Sequence, residues 1–474
     1  MTTILDKFAE AVARHGDRPA IVEADGREIS FDELDLLARH YAAGFRQDGI
    51  ERGDRILLAM PVGIDLFACL AAVWRLGATV VFPEPALGLK GLRHAADAVA
   101  PKAFLSSGWY RLLGWLVPEL RALDLRLTPR ASIDPPVADM LSEREDVALI
   151  SFTSGSTGQP KAIARSHSFM MAQARAISPL LETGNDDERD LVAFPVFVLV
   201  CLSLGITSVL PAWKLRRHDK ASGDVVANQI ARQKITRLLV PPVICETLSA
   251  SVVPLGLRAI FTGGGPVFPD VLARLASLQP DLRLVAVYGS TEAEPIAHLE
   301  FSDIAAGDLE AMQSGAGLLA GHRVEQIEVQ IVDGEIQVAG DHVNETYLDT
   351  GHNAENKVLR EDRIWHRTGD AGRFDDQGRL WLLGRLGNRV ANIDPFSIET
   401  AARFWPGLNR SALVAVGGIP VLAVEGDRAH MDDWKRRAAR LGIDELRLVD
   451  TIPMDRRHRS KVDMARLQAK LRTR

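Results

Sequence analysis

The chain has 474 residues, 47% hydrophobic and 25% charged, with a formal net charge of −6. That length exceeds one ordinary core, so two or more domains are expected, and the acidic balance argues against nucleic acid as a partner. Cys69, Cys201 and Cys245 are odd in number and scattered, which excludes a disulfide framework or a zinc spacing and fits a reducing, cytoplasmic compartment.

Ile4, Leu5, Phe8, Ala11 and Val12 recur at helical spacing among charged residues. This predicts an amphipathic helix rather than a secretory signal. Through residues 1–140, helical patterns alternate with short apolar runs at 55–59 and 79–82, the pattern of a parallel sheet covered on both faces. Residues 147–152 form a further apolar strand, followed by Thr153, Ser154, Gly155, Ser156, Thr157, Gly158, Gln159, Pro160 and Lys161. Glycines let backbone N–H groups turn inward, hydroxyls add neutral donors, and Lys161 brings a positive charge. Such a loop suits phosphates, although Pro160 before the lysine and Ala162 after it rule out a Walker A sequence.

Residues 191–213 carry no charge and are long enough to span a bilayer. Pro195, Gly205 and Pro211 break the run, so a buried strand and helix are expected, with no integral membrane span. Buried strands are expected at 237–240, 257–261 and 283–287. From about 325 the alternation has period two around Asp333-Gly334, a hairpin signal; a second hairpin turns at Asp376-Gln377-Gly378. The domain boundary is placed after Gly384-Arg385, giving a domain of residues 1–385 and a small one of 386–474.

The loop 153–161 resembles the phosphate loop of the adenylate-forming superfamily, which includes acyl-CoA synthetases, non-ribosomal peptide adenylation domains and luciferases. Its partners follow in order: Tyr288-Gly289-Ser290-Thr291-Glu292, Arg367-Thr368-Gly369-Asp370, Gly384-Arg385, and Lys461 near the C-terminus. The N-terminal run Ile29-Ser30-Phe31-Asp32-Glu33-Leu34 also fits. The resemblance spans nearly the whole chain. It implies an α/β fold: a large N-terminal domain with mostly parallel sheets and a small β-barrel-like part, plus a small mobile α+β C-terminal domain. Gly387 takes the hinge position.

The resemblance also implies roles. Thr153 to Gly158 and Lys161 would hold phosphates, Thr291 would contact the α-phosphate, and Glu292 would place Mg²⁺. Gly264, Gly265 and Pro266 would lie along adenine, with Tyr288 stacking on the base. Asp370 and Arg385 would hold the ribose, and Lys461 would bridge the substrate carboxylate and the α-phosphate. On residues alone, the Thr291-Glu292 pair could equally cap a helix. Phe197, Val200, Cys201 and Leu204 would line an acyl pocket without charge, which favours an apolar acid over an amino acid.

Activation of an apolar carboxylic acid as acyl-AMP is therefore expected, with ATP and Mg²⁺, then transfer to a thiol of CoA or of a carrier-protein phosphopantetheine. A second reading is β-lactone formation from a β-hydroxy acid. The chain carries Asp394-Pro395 near where relatives keep a pantetheine-tunnel glycine, and residues 194–199 and 455–461 are similar to olefin-pathway β-lactone synthetases. A third is a nucleotide-binding regulator without turnover, against which the retained Thr291, Glu292 and Lys461 speak.

Overall fold

Thr3 and Ser30 each open a helix with a capping box, the hydroxyl accepting from the third residue on while that residue's carboxylate accepts from the cap backbone. The computed structural model describes residues 3–83, 88–132, 143–153, 160–182, 187–251, 253–455 and 461–472. Its contacts divide the chain into two units. One comprises Met1–Arg216, Gln229–Leu239 and Asp341–Lys357; the other comprises Arg217–Asn228, Val240–Gly340 and Val358–Arg474.

In the first unit a six-stranded sheet runs in the order Leu125–Leu127, Ala103–Ser106, Arg55–Ala59, Thr79–Phe82, Val147–Thr153, Lys161–Ser166. All neighbours are parallel except the last pair. A second set, Arg237–Val240, Arg189–Val192, Thr207–Val209 and Pro19–Val22, is parallel too, with Glu28–Ser30 antiparallel at its end. The uncharged run resolves as expected into strand, helix Pro195–Leu204 and strand Thr207–Val209. Gly205 ends that helix with φ +73°, a left-handed conformation in which glycine carries no Cβ penalty. Among the described residues no helix is long and apolar enough to cross a membrane.

In the second unit Ala259–Gly263 pairs in parallel with Arg283–Ser290, and the pairings that run on from Arg283–Ser290 through Ala293–Glu300 and Leu318–Arg323 to Leu380–Arg385 are antiparallel. The hairpin expected at Asp333-Gly334 joins Glu328–Val332 to Glu335–Ala339, with φ +51° and +79° at its two turn residues. The second joins Arg363–Phe374 to Leu380–Arg385. A three-stranded sheet follows: Leu408–Val416 antiparallel to Ile419–Gly426, and Glu445–Leu448 parallel to the latter. Trp405 and Trp434 pack in one core on it, Leu467 and Leu471 in another. The fold is thus mixed α/β with large, mostly parallel sheets and a small C-terminal part.

Candidate functional site

A cavity of about 290 Å³ opens in the second unit and gathers residues from across its length. Gly264, Gly265, Pro266, Tyr288, Asp370, Arg385 and Lys461 all line it. Strand Ala259–Gly263 delivers the glycine turn at its C-terminal end. Gly264 has φ +79°, and a Cβ on Gly263 would stand 2.5 Å from the Val287 carbonyl oxygen, so this turn presses against the neighbouring strand as only glycine permits.

Tyr288 and Asp370 meet directly. The phenol donates to Asp370 Oδ2 at 2.8 Å, and Arg385 Nε faces Asp370 Oδ1 at 3.0 Å. Asp370 and Arg385 stand opposite one another in adjacent strands. Glu335 fixes the backbone before them, accepting from the Gly369 N–H at 3.1 Å and from Arg367 Nε at 2.7 Å. Arg385 Nη1 also donates to the Thr368 carbonyl at 2.7 Å. Burial holds the Tyr288 phenol well above its ordinary pKa, so it remains a donor.

Thr291 and Glu292 form the two-residue turn between strands Arg283–Ser290 and Ala293–Glu300. No helix follows them, which removes the helix-cap alternative. Ser290 Oγ, beside this turn, is buried without a hydrogen-bond partner among the described residues. Among the described residues no cluster of three or more His, Cys, Asp and Glu could hold a metal ion.

Lys461 is exposed and pairs with Asp455, its N–H donating to Asp455 Oδ1 at 3.0 Å and its carbonyl accepting from the Asp455 N–H at 2.7 Å. Met454 and Val462 bridge behind it. The C-terminal helix starts at Met464, where Asp463 accepts from the Arg466 N–H at 3.1 Å. Gly387 lies in the short turn Leu386–Asn388; a Cβ there would meet nothing within 4 Å.

In the first unit, Thr153 is buried and ends strand Val147–Thr153, while Ser154, Gly155, Ser156, Thr157 and Gly158 lie outside the described residues. Lys161 is buried, 3.5 Å from Glu355 Oε2 and 5.3 Å from the centre of the Tyr347 ring. Phe197, Val200, Cys201 and Leu204 share helix Pro195–Leu204. Cys201 is buried with its Sγ 3.7 Å from Asp190 Oδ2, and Asp190 forms a buried bidentate pair with Arg237. None of the four lines the cavity described above.

The cavity wall also holds groups that the motifs did not mark. Arg403 grips Asp270 through two bonds of 2.9 and 2.8 Å, and Arg410 reaches Glu246 at 3.0 Å. Glu399 is buried, accepting from the Leu413 N–H at 2.9 Å, and burial pushes its carboxyl from the ordinary 4.5 up to about 8. Its signal in sequence is faint: one acid among the apolar positions Ile398, Ala401 and Ala402. Pro242, Val243, Val267 and Phe268 supply apolar lining.

Residues 8–348 match the family model of the AMP-binding enzymes. An olefin beta-lactone synthetase of Stenotrophomonas maltophilia is 29% identical over 93% of this chain and 90% of its own. Another, from Xanthomonas campestris pv. campestris, is 31% identical over 84% and 80%. A 2-succinylbenzoate–CoA ligase of Enterococcus faecalis is 25% identical over 88% and 87%. Among solved structures, the amide bond synthetase McbA from Marinactinospora thermotolerans superposes with a TM-score of 0.81 at 22% identity, covering 98% of this chain and 99% of that one.

Proposed function

From the membership of this chain in the AMP-binding enzyme family, we propose that it activates an apolar carboxylic acid as acyl-AMP at the cavity around Tyr288, Asp370 and Lys461. A carboxylate oxygen bonds to the α-phosphorus of ATP, the bond to the bridging oxygen breaks, and pyrophosphate leaves. Both reactants are anions, so the protein's task is to neutralise charge and align them.

The observation that carries this reading is the convergence on one cavity of a glycine turn, the Tyr288–Asp370–Arg385 cluster and Lys461. Asp370, held between Tyr288 and Arg385, is set to accept from ribose hydroxyls, and the face of Tyr288 would support the base. The Lys461 ammonium would stabilise charge shifting between carboxylate and α-phosphate in the transition state. Thr291 would donate to the α-phosphate, and the loop from Thr153 to Lys161 would hold the β- and γ-phosphates. Glu292 would hold Mg²⁺ together with the nucleotide, and the ion would supply charge neutralisation on the leaving pyrophosphate. Residues 386–474 would turn about Gly387 as a unit between the two half-reactions, and Phe197, Val200 and Leu204 would face the acyl chain, while Cys201 packs against Asp190.

In the second step a nucleophile attacks the acyl carbon and AMP departs. One acceptor is the thiol of CoA or a carrier protein, consistent with the CoA-ligase relative. The other is the β-hydroxyl of the substrate itself, giving a β-lactone. The lactone-synthetase relatives favour it. An intramolecular attack needs a held conformation and no thiol.

The test is acid-dependent exchange of labelled pyrophosphate into ATP across fatty, aryl, β-hydroxy and amino acids, with Lys461→Ala as control. Exchange with apolar acids that falls by about 10²–10³ in the variant supports adenylation; no exchange with any acid overturns it. A β-lactone formed with AMP in the absence of added thiol then identifies the β-hydroxyl as acceptor, and strict dependence on CoA or carrier protein identifies the thiol.

A further inference from the structure

We infer that the helical run 108–116 is a docking surface for an anionic lipid membrane. The run comprises Gly108–Leu112 and Leu113–Leu116. Leu113 turns inward with Val117 and Leu120, which pack against Leu92, Ala96 and Phe104. The opposite face is apolar as well and meets solvent: Trp109 is 58% exposed, Leu112 59%, Trp115 63% and Leu116 74%. These positions recur three to four apart, so they share one side of the run. Leu89, 57% exposed, adds to the same region; it stands one turn before Arg93, whose guanidinium bonds Glu119 at 2.7 Å.

Scattered exposed leucines need no explanation, but two tryptophans and two leucines protruding side by side do. The charges around them indicate what covers them. Residues 88–126, which carry these side chains, hold Lys90, Arg93, Lys102, Arg111, Arg121 and Arg126 against Asp97, Glu119 and Asp124, so this stretch is cationic on a chain of net charge −6. The Arg126 guanidinium lies over the Trp115 ring at 4.9 Å, while its Nη1 donates to the Arg121 and Leu123 carbonyls. Trp109 stacks on Tyr110 with ring centres 4.0 Å apart. Tryptophan and leucine on one side with arginine at the margin is the composition of a helix lying in a bilayer interface. Basic residues there are drawn to anionic headgroups. Trp109, Leu112, Trp115 and Leu116 are each more than half exposed, so a fluid acyl layer that moulds around them suits them better than a rigid protein surface. The inference stands on this patch alone and does not use the reading of the active site.

The experiment is co-sedimentation of the full chain with vesicles of mixed phosphatidylcholine and phosphatidylglycerol, and with phosphatidylcholine alone. Wild type is expected to bind the anionic vesicles, more weakly as salt rises, and the neutral ones poorly. Trp115→Ser with Leu116→Ser should weaken binding at least about tenfold, and Arg111→Gln with Arg121→Gln should remove the preference for anionic lipid. Both double variants should keep wild-type pyrophosphate exchange or, failing any exchange, the wild-type melting temperature. Equal binding by wild type and variants, or no binding by wild type, overturns the inference. Concentration-dependent self-association that the Trp115/Leu116 variant abolishes, with no vesicle binding, also overturns it and assigns the patch to a second copy of the chain.

Discussion

The Tyr288 hydroxyl donates to Asp370 Oδ2 at 2.8 Å across 82 residues of sequence, while Arg385 occupies the other carboxylate oxygen. Asp370 is thereby oriented before any ligand arrives, which lowers the ordering cost of binding a diol. Removing one hydrogen bond to a charged group costs about 1.5–3 kcal/mol. Tyr288→Phe should keep the aromatic face and lose the donor. The expected result is a KM for ATP raised on the order of tenfold with little change in melting temperature. Because burial keeps the phenol protonated, the variant's alkaline pH profile should have the wild-type shape; a new alkaline limb in wild type alone would contradict this.

Glu399 gives a pH dependence of opposite sign to that of an ordinary paired carboxylate. Its folded pKa is raised by burial from 4.5 to about 8, so between those values the native state holds a proton that the unfolded chain has lost. Its contribution to stability is therefore complete below about pH 4.5 and is lost as pH rises to about 8, at up to about 1.4 kcal/mol per pH unit. Glu399→Gln keeps the shape and the acceptor for the Leu413 N–H and removes the titration. Melting curves from pH 5 to 8 should fall more steeply for wild type than for the variant, with the variant the more stable at pH 8. Parallel curves would refute a neutral, buried Glu399.

The second unit ties its C-terminal segment down with ionic contacts. Arg403 binds Asp270 in bidentate fashion, and Arg410 binds Glu246; Phe396 also packs edge-on against Phe268 with ring centres 6.3 Å apart. This arrangement has Lys461 on the cavity wall with Tyr288 and Asp370, as adenylation would need. A segment that turns about Gly387 must break these contacts, so weakening them should shift the populations. Asp270→Asn is expected to lower pyrophosphate exchange about five- to thirtyfold, for about 1–2 kcal/mol of lost bias. Release of AMP from preformed acyl-adenylate should be unchanged or faster. A variant that slows both steps equally would argue against the clamp.

Local signals proved legible where the physics is local. Asp333-Gly334 turns a hairpin because both residues take positive φ, and Ser30 with Glu33 caps a helix through contacts three residues apart. Gly264, Tyr288, Asp370, Arg385 and Lys461 line one cavity, while Thr291 and Glu292 are not among its lining residues. Long-range assignments were harder. Nothing in residues 341–357 announces that they join the first unit, because the tie is a bridge from Tyr347 to Ile163. The strand expected at 257–261 shifts to Ala259–Gly263 because pairing with Arg283–Ser290 sets its register. An apolar run such as 195–204 also does not say which of its faces meets a polar partner, and Cys201 faces one.

That partner is the buried pair of Asp190 and Arg237, bonded at 2.7 and 2.8 Å with both side chains at most 1% exposed. Arg237 also donates to the Leu181 carbonyl, so it links the end of helix His167–Leu181 to strands Arg189–Val192 and Arg237–Val240. Breaking such a pair strands one charge in the interior, at about 3–5 kcal/mol, whereas replacing both partners with apolar groups is often neutral. Asp190→Ala should therefore lower the melting temperature sharply, and Asp190→Leu with Arg237→Met should recover only part of the loss, because buried Glu188, 3.6 Å from Arg237 Nε, then loses its cation. Cys201 separates a packing role for its helix from an acyl-lining one. Cys201→Ala should trim stability by about 1 kcal/mol or less and leave the acid preference in pyrophosphate exchange unchanged. A shift in preferred acid chain length in that variant would instead put the Cys201 side of the helix against the substrate.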